Sequence, residues 1–114
     1  MNYSIILNSP FEKEVRRLSK KYPSLKKDLE RLQRELLDNP NAGSPLGSGI
    51  RKIRMAITSK GRGKSHGARV ITVTIVAEVE ETEINLLFIY DKGERDTIST
   101  AEIKDLMKEV GLDN

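Results

Sequence analysis

The chain has 114 residues, no cysteine and one histidine, and its formal net charge is +3. This length suits one domain, which can bury a hydrophobic core without help from a disulfide or a metal. The missing cysteines exclude thiolate chemistry, and the composition argues against a zinc or calcium site. The longest apolar run, residues 84–90, is too short to cross a bilayer, and residues 1–8 lack the basic segment of a signal peptide. We therefore predict a soluble cytoplasmic protein that needs no cofactor and binds no membrane.

The charges are distributed unevenly along the chain. Between Asp38 and Glu78 there is no acidic residue, although seven basic residues fall in that window. They are Arg51, Lys52, Arg54, Lys60, Arg62, Lys64 and Arg69. Residues 78–114 carry the opposite excess, with eleven acidic and four basic residues. A segregated positive surface attracts polyanions, because each basic side chain that meets a phosphate releases condensed counterions, so the pattern indicates a nucleic-acid partner.

The first third of the chain predicts a strand followed by two helices. Residues 3–7 are β-prone, and Ser9 with Pro10 is typical of a helix start, with Ser9 as the cap. Pro23 interrupts this helix, and Ser24 is placed to cap the next one. In each helix the apolar residues recur at spacings of three or four and form one stripe. The stripes are Phe11, Val15 and Leu18 in the first helix, and Leu25, Leu29, Leu32 and Leu36 in the second.

The middle of the chain predicts a loop and then a two-faced strand. Residues 39–49 contain two prolines and three glycines, which is typical of a loop. Residues 50–57 alternate between apolar and basic side chains, as expected for a strand with a core face and a basic face. The core face holds Ile53, Met55 and Ile57, and the basic face holds Lys52 and Arg54.

Two further strands follow. Residues 58–67 form a basic loop punctuated by glycine, and residues 68–79, rich in Val, Ile and Thr, predict a central strand. Residues 80–83 predict an acidic hairpin turn. Residues 84–90 are nearly all apolar, as expected for a strand covered on both faces, and residues 91–97 form a charged connection.

A last helix completes the predicted fold. Ser99 or Thr100 caps it, Glu102 is placed for a capping box, and Gly111 can end it. The order is then strand, two helices, three antiparallel strands and one helix. We predict an α+β fold with a small, antiparallel-rich sheet, in which the first strand pairs with one of the later ones.

Arg69 is the first candidate site residue. It opens a strand directly after the basic loop, so in a hairpin it lies across from the end of the preceding strand, near Lys52 or Arg54. Like charges placed close together on a sheet cost stability, which favours an anionic partner over a merely solvated strand face.

The basic loop allows two interpretations. It is either a flexible arm that grips phosphates or a mobile hairpin tip whose charges serve solubility. The single histidine, His66, is more simply an incidental loop residue. Lys92 and Arg95 stand among acidic residues, and simple surface ion pairs are one interpretation of both. The chain has five aromatic residues, mostly at core-like positions, which argues against an RNA-binding module that stacks bases on a sheet.

Three segments resemble the RelE/HigB-like toxins of bacterial type II toxin–antitoxin pairs. They are residues 45–57 (PLGSGIRKIRMAI), 59–71 (SKGRGKSHGARVI) and 87–92 (LFIYDK). The resemblance extends over nearly the whole chain and includes the element order, so it implies one RelE-like domain over residues 1–114. It further implies an mRNA interferase, an endoribonuclease that cuts mRNA in the ribosomal A site without a metal. Its partners would be the ribosome, mRNA and a cognate antitoxin of the helix-turn-helix type.

The resemblance also implies roles for individual residues. Arg69 matches the arginine that opens the middle strand and would contact the scissile phosphate. Lys52 and Arg54 match two basic residues of the preceding strand, and Lys92 approximates the basic residue after the last strand. The tyrosine that the family carries near Ser99 is absent, so the general base is open among Tyr90, Lys92 and His66. The RNA backbone would be held by Arg51, Lys60, Arg62, Lys64 and His66.

Two alternatives stay open. A ParE-like toxin of the same fold poisons DNA gyrase and cuts no RNA, but it would not need basic residues clustered on the strands. A non-catalytic nucleic-acid-binding module would bind any polyanion in a salt-sensitive way without cleavage.

Overall fold

Eight regular elements follow one another along the chain in the computed structural model, which describes residues 2–113. They are β1 (Asn2–Leu7), α1 (Ser9–Lys21), α2 (Leu25–Asp38), β2 (Ser44–Gly47), β3 (Ile50–Met55), β4 (Ala68–Glu78), β5 (Glu81–Asp91) and α3 (Thr100–Glu109). Between β3 and β4 the basic loop forms two short 3₁₀ turns, Thr58–Lys60 and Lys64–His66. Within residues 2–113 no helix has the length and apolarity needed to cross a membrane.

The strands form one mixed sheet in the order β1-β5-β4-β3-β2. The three strands from β3 to β5 are antiparallel as predicted, and β1 joins them by pairing in parallel with β5. The α+β prediction is therefore confirmed. Because β5 lies between β1 and β4, both of its edges and both of its faces are covered, which explains its long apolar run.

The sheet has one strand more than predicted. Ser44–Gly47 lies within the segment predicted to be a loop, and it pairs with β3 as an edge strand. The glycines that suggested a loop instead make the turn between two strands, since Gly47 and Gly49 have positive φ angles of 92° and 77°. Pro45 is tolerated in β2 because an edge strand leaves one side of its backbone without ladder hydrogen bonds.

The core has two parts, one on each face of the sheet. Helices α1 and α2 cover one face, where their predicted apolar stripes pack against Ile53, Met55 and Ile57 of β3 and the following segment. Helix α3 covers the other face, where Ile103 packs with Ile71 and Leu87. The alternation predicted for β3 is thus confirmed, and its basic face lies on the α3 side of the sheet.

The helix ends follow the predicted signals with two exceptions. Ser99 forms the predicted capping box with Glu102 at the start of α3. Ser24 occupies the N-cap position of α2, but its hydroxyl donates to Asp28 and makes no capping hydrogen bond. At α1 the cap is Asn8 and not Ser9. Pro10 is tolerated anywhere in the first turn, so Ser9 can join the helix while the extended Asn8 bonds to β5 through its side chain.

Candidate nucleic-acid interface

Three side chains stand in a row across the sheet. Arg54 of β3 is directly opposite Arg69 of β4, and Arg69 is directly opposite Tyr90 of β5. Directly paired residues in an antiparallel sheet point to the same face, with Cα atoms about 4.5–5.5 Å apart. The predicted proximity of Arg54 and Arg69 is therefore confirmed. We call these three residues the Arg–Arg–Tyr row.

Arg69 is a buried cation without an acidic partner. Its side chain is only 7% exposed, and no carboxylate lies within ion-pairing distance of it among residues 2–113. The guanidinium donates to the backbone carbonyls of Lys64 (2.9 Å), Ala68 (3.1 Å) and Ser65 (3.5 Å). These carbonyls fix the orientation of the guanidinium but do not neutralise it, and burying a cation without a counter-charge is costly. The arrangement suits an anion supplied from outside.

Tyr90 completes the row with a buried hydroxyl. The residue is 2% exposed, and among residues 2–113 its Oη makes no hydrogen bond of regular geometry, although the Thr97 side chain lies close to it. Burial raises the pKa of the Tyr90 phenol and prevails. The positive charges of Arg69, Lys92 and Arg95 lower it, as does the nearby side chain of Thr97. The phenol therefore keeps its proton near neutral pH and can donate a hydrogen bond. A buried donor without an acceptor is unfavourable, so Tyr90 gains when an acceptor arrives.

Lys92 and Lys52 lie beside the row and share one acidic neighbour. The ammonium of Lys92 is 2.6 Å from the carboxylate of Asp96 and 2.7 Å from its carbonyl oxygen. The hydrogen bond from Lys92 lowers the pKa of Asp96, and the charge of Lys52 acts in the same direction. Lys92 thus makes the surface ion pair that was one of its two interpretations. Because Asp96 is highly exposed, an incoming phosphate can replace it at low cost.

Asp91 is an important residue that the sequence pattern does not single out. It is fully buried at the end of β5 and accepts hydrogen bonds from Lys60 Nζ (2.6 Å), Tyr22 Oη (2.5 Å) and Gly93 N (2.8 Å). Burial alone would raise the pKa of Asp91, but these hydrogen bonds lower it on balance. The one available signal is an acidic residue directly after an apolar strand.

This carboxylate determines where Lys60 lies. Besides its ion pair with Asp91, Lys60 donates to the carbonyl of His66 (2.9 Å) and lies over the Tyr22 ring, 5.2 Å from its centroid. The ammonium predicted to hold RNA therefore points into the protein. It closes the basic loop on itself and ties it to β5.

Asp28 anchors the same first turn of the loop at Thr58. Its buried carboxylate accepts from the backbone N of Thr58 (3.0 Å), from the Thr58 hydroxyl (2.5 Å) and from Ser24 Oγ (2.8 Å). The sequence does not indicate this anchoring role, because Asp28 stands among other charged residues of a helix. The two aspartates together hold the first turn, and Lys60 connects it to the second turn through the carbonyl of His66.

The other predicted RNA contacts fall into two groups. Arg62, Lys64 and His66 are exposed on the loop, and the His66 ring contacts Ser65 Oγ at 3.0 Å. Arg51 lies on the opposite face of β3 from Arg54, and its guanidinium donates to the carbonyl of Asn41 at 3.0 Å. The exposed group adjoins the row, because Lys64 and Ser65 provide carbonyls to Arg69.

The row combines one buried guanidinium, one exposed guanidinium and one phenol donor on a single sheet face, an arrangement whose charge and donors suit an anion. In residues 2–113 no group of three or more acidic or histidine side chains is arranged to hold a metal ion. No family model matches the chain.

Proposed function

We propose that this chain is a RelE/HigB-like toxin, a ribosome-dependent endoribonuclease that cuts mRNA in the A site. The observation that carries the proposal is the buried, acid-free guanidinium of Arg69, with Arg54 and Tyr90 directly beside it. A structural role alone would favour a carboxylate partner for such a cation. An RNA phosphate supplies the missing negative charge.

The row suits cleavage in which the RNA provides its own nucleophile. The ribose 2′-hydroxyl attacks the adjacent phosphorus, the bond to the 5′-oxygen breaks, and a 2′,3′-cyclic phosphate and a 5′-hydroxyl result. Arg69 and Arg54 stabilise the negative charge that develops on the phosphorane, which is the largest contribution that such a site makes. Tyr90, protonated at neutral pH, donates to a phosphate oxygen or to the leaving 5′-oxygen. Of the two candidates for accepting the 2′-hydroxyl proton, Lys92 is an ammonium paired with Asp96 and has no free lone pair, so we assign this role to His66.

The remaining cations position the substrate. Lys52 and Lys92 border the row, and Arg62 and Lys64 extend it along the loop. Contacts of this kind to the phosphate backbone set orientation and not sequence preference, so the ribosome would present the codon. A cognate antitoxin that covers this surface would silence the enzyme in the cytoplasm.

Primer extension on purified 70S complexes tests the proposal. Each complex carries an mRNA with a defined A-site codon, made either with ribose throughout or with one 2′-deoxynucleotide in that codon. We expect wild-type protein to cut the mRNA within the codon. Cleavage should be abolished when the nucleotide on the 5′ side of the cleaved bond lacks its 2′-hydroxyl.

Three other outcomes would each contradict part of the proposal. Cutting that survives every deoxy substitution would exclude the 2′-hydroxyl as nucleophile. Salt-sensitive RNA binding without cutting would support the non-catalytic module. Double-strand breaks in a gyrase supercoiling assay, without RNA cleavage, would support the ParE-like alternative.

A further inference from the structure

Arg95 lies over the ring of Tyr90, although no sequence signal assigned Arg95 to the site. Its guanidinium carbon lies 5.6 Å from the centroid of the Tyr90 ring, within the range of a cation–π contact. The same guanidinium donates to Glu102 Oε2 at 2.7 Å and to the carbonyl of Thr97 at 3.0 Å. Arg95 thus bridges β5, the following connection and the first turn of α3.

Glu102 has two tasks at this position. Its carboxylate completes the capping box of α3 by accepting from the backbone N of Ser99, and it also pairs with Arg95. Both partners of the ion pair are substantially exposed, with 35% of Arg95 and 49% of Glu102 accessible. An exposed pair of this kind contributes little stability, so a stronger anion can displace the carboxylate.

We propose that Arg95 is a mobile phosphate-binding residue, which Glu102 holds over Tyr90 in the free protein and which transfers to the substrate phosphate when RNA enters. The inference rests on the proposed function. Two features of the free protein favour the transfer. A phosphate offers Arg95 two oxygens in place of the single Glu102 oxygen that it contacts, and withdrawal of Arg95 uncovers the ring of Tyr90.

Tyrosine nitration by tetranitromethane tests the covering role without any RNA. The chain has no cysteine, which would otherwise compete for the reagent, and trypsin places Tyr3, Tyr22 and Tyr90 in three different peptides. Mass spectrometry of these peptides therefore gives a nitration rate for each tyrosine, and Tyr3 and Tyr22 serve as internal references.

The variants separate the ion pair from the helix cap. Glu102→Gln keeps an acceptor for the capping box but removes the charge that holds Arg95. Arg95→Ala removes the cover itself. Glu109→Gln, on the exposed side of the same helix, is the matched control for loss of one acidic charge.

We expect Tyr90 to be nitrated slowly in wild type and in Glu109→Gln. In Glu102→Gln the rate should rise about two- to fivefold, which corresponds to the loss of one exposed ion pair. Arg95→Ala should give the fastest nitration. Equal Tyr90 rates in wild type and Arg95→Ala would overturn the inference.

Cleavage on 70S complexes tests the transfer to phosphate. We expect kcat/KM to fall about tenfold in Arg95→Ala, as for one lost charge-assisted phosphate contact, and to hold or rise in Glu102→Gln. A purely structural pair would instead lower activity in both variants, which would overturn the inference. Wild-type rates in Arg95→Ala would overturn it too, while leaving the proposed function in place. Absence of cleavage by wild-type protein would overturn the proposed function and, with it, the transfer of Arg95 to RNA.

Discussion

At the scale of single residues, the site contains a buried charge that the folded protein does not neutralise. Among residues 2–113 Arg69 donates to carbonyls but has no carboxylate partner, and the buried hydroxyl of Tyr90 makes no hydrogen bond of regular geometry. Nearby structural groups are fully paired, as Asp91 shows with its three donors. The hydroxyls of Ser19 and Thr74 are also buried without a partner, so a missing hydrogen bond alone does not mark the site. Tyr90 differs from them because it stands directly beside a buried cation.

The contrast between unpaired and paired groups predicts opposite effects of removing two tyrosine hydroxyls. Tyr90→Phe should raise the free energy of unfolding by about 1 kcal/mol, because it removes a buried donor without an acceptor. Tyr22→Phe should lower it by about 2 kcal/mol, because the Tyr22 hydroxyl donates to the carboxylate of Asp91. Urea unfolding of both variants gives the comparison. Equal destabilisation by the two changes would show that Tyr90 Oη has a partner in the free protein.

The pair of Asp91 and Lys60 predicts a pH-dependent effect on stability. Asp91→Asn leaves the largely buried ammonium of Lys60 without its counter-charge. The change should therefore lower the free energy of unfolding by about 3 kcal/mol at neutral pH. Because the pKa of Asp91 is lowered in the folded state, its contribution is complete above the ordinary value of 3.8 and is lost as the pH falls through the folded pKa. The difference in free energy of unfolding between wild type and Asp91→Asn should therefore become smaller in acid. Urea unfolding at about pH 7 and about pH 2.5 measures this difference. A difference that is the same at both pH values would contradict the ion pair assigned to Asp91 and Lys60.

At the scale of elements, the loop between β3 and β4 is an ordered part of the site that is held in place by side-chain contacts. Lys60 and Thr58 fasten its first turn to Asp91 and Asp28, and its second turn supplies two of the carbonyls that orient Arg69. Gly67 closes the loop where it meets β3, and its carbonyl accepts the backbone N–H of Lys92. The loop thereby couples the positions of Arg69 and Lys92.

Substitution at Gly67 should open this junction. A Cβ atom there would stand 2.0 Å from the carbonyl oxygen of Met55, a backbone atom that cannot move aside alone. Gly67→Ala should cost about 3 kcal/mol of stability and lower cleavage as well. Gly61→Asn is the control, since Gly61 has a φ of +66° with open space around it, and Asn tolerates that conformation. Thermal unfolding measures the stability of both variants. Equal losses of stability in Gly67→Ala and Gly61→Asn would argue against a tight junction at Gly67.

The elements themselves were largely predictable from periodicity, whereas the contacts of the loop were not. Spacings of three and four fixed the stripes of α1 and α2, and alternation fixed the two faces of β3, because burial on one side imposes those periods. Strand β2 was missed because its proline and glycines are equally typical of a loop. The inward turn of Lys60 was missed because it depends on Asp91, which is distant in sequence and becomes a neighbour only after folding.

At the scale of the whole molecule, folding concentrates the charge that the sequence segregates. The basic window from Arg51 to Arg69 spans two strands and a loop, and antiparallel pairing places Arg54 beside Arg69 on the α3 face. Pairing with β5 then adds Tyr90 and brings in Lys92 from a segment that is otherwise acidic. Local charge could be predicted from the sequence, but the row itself requires the register of three strands.

The claim that this row handles an RNA phosphate is tested most directly by single-turnover cleavage on programmed 70S complexes, with Arg69→Ala beside Arg34→Ala. Arg34 is exposed on α2, on the other face of the sheet, so its removal costs the same charge away from the row. Circular dichroism confirms that both variants are folded before rates are compared. We predict that Arg69→Ala slows cleavage at least about 100-fold, as expected for loss of a group that stabilises the transition state, while Arg34→Ala stays close to wild type. Equal rates for the two variants would contradict the assignment of the phosphate to Arg69.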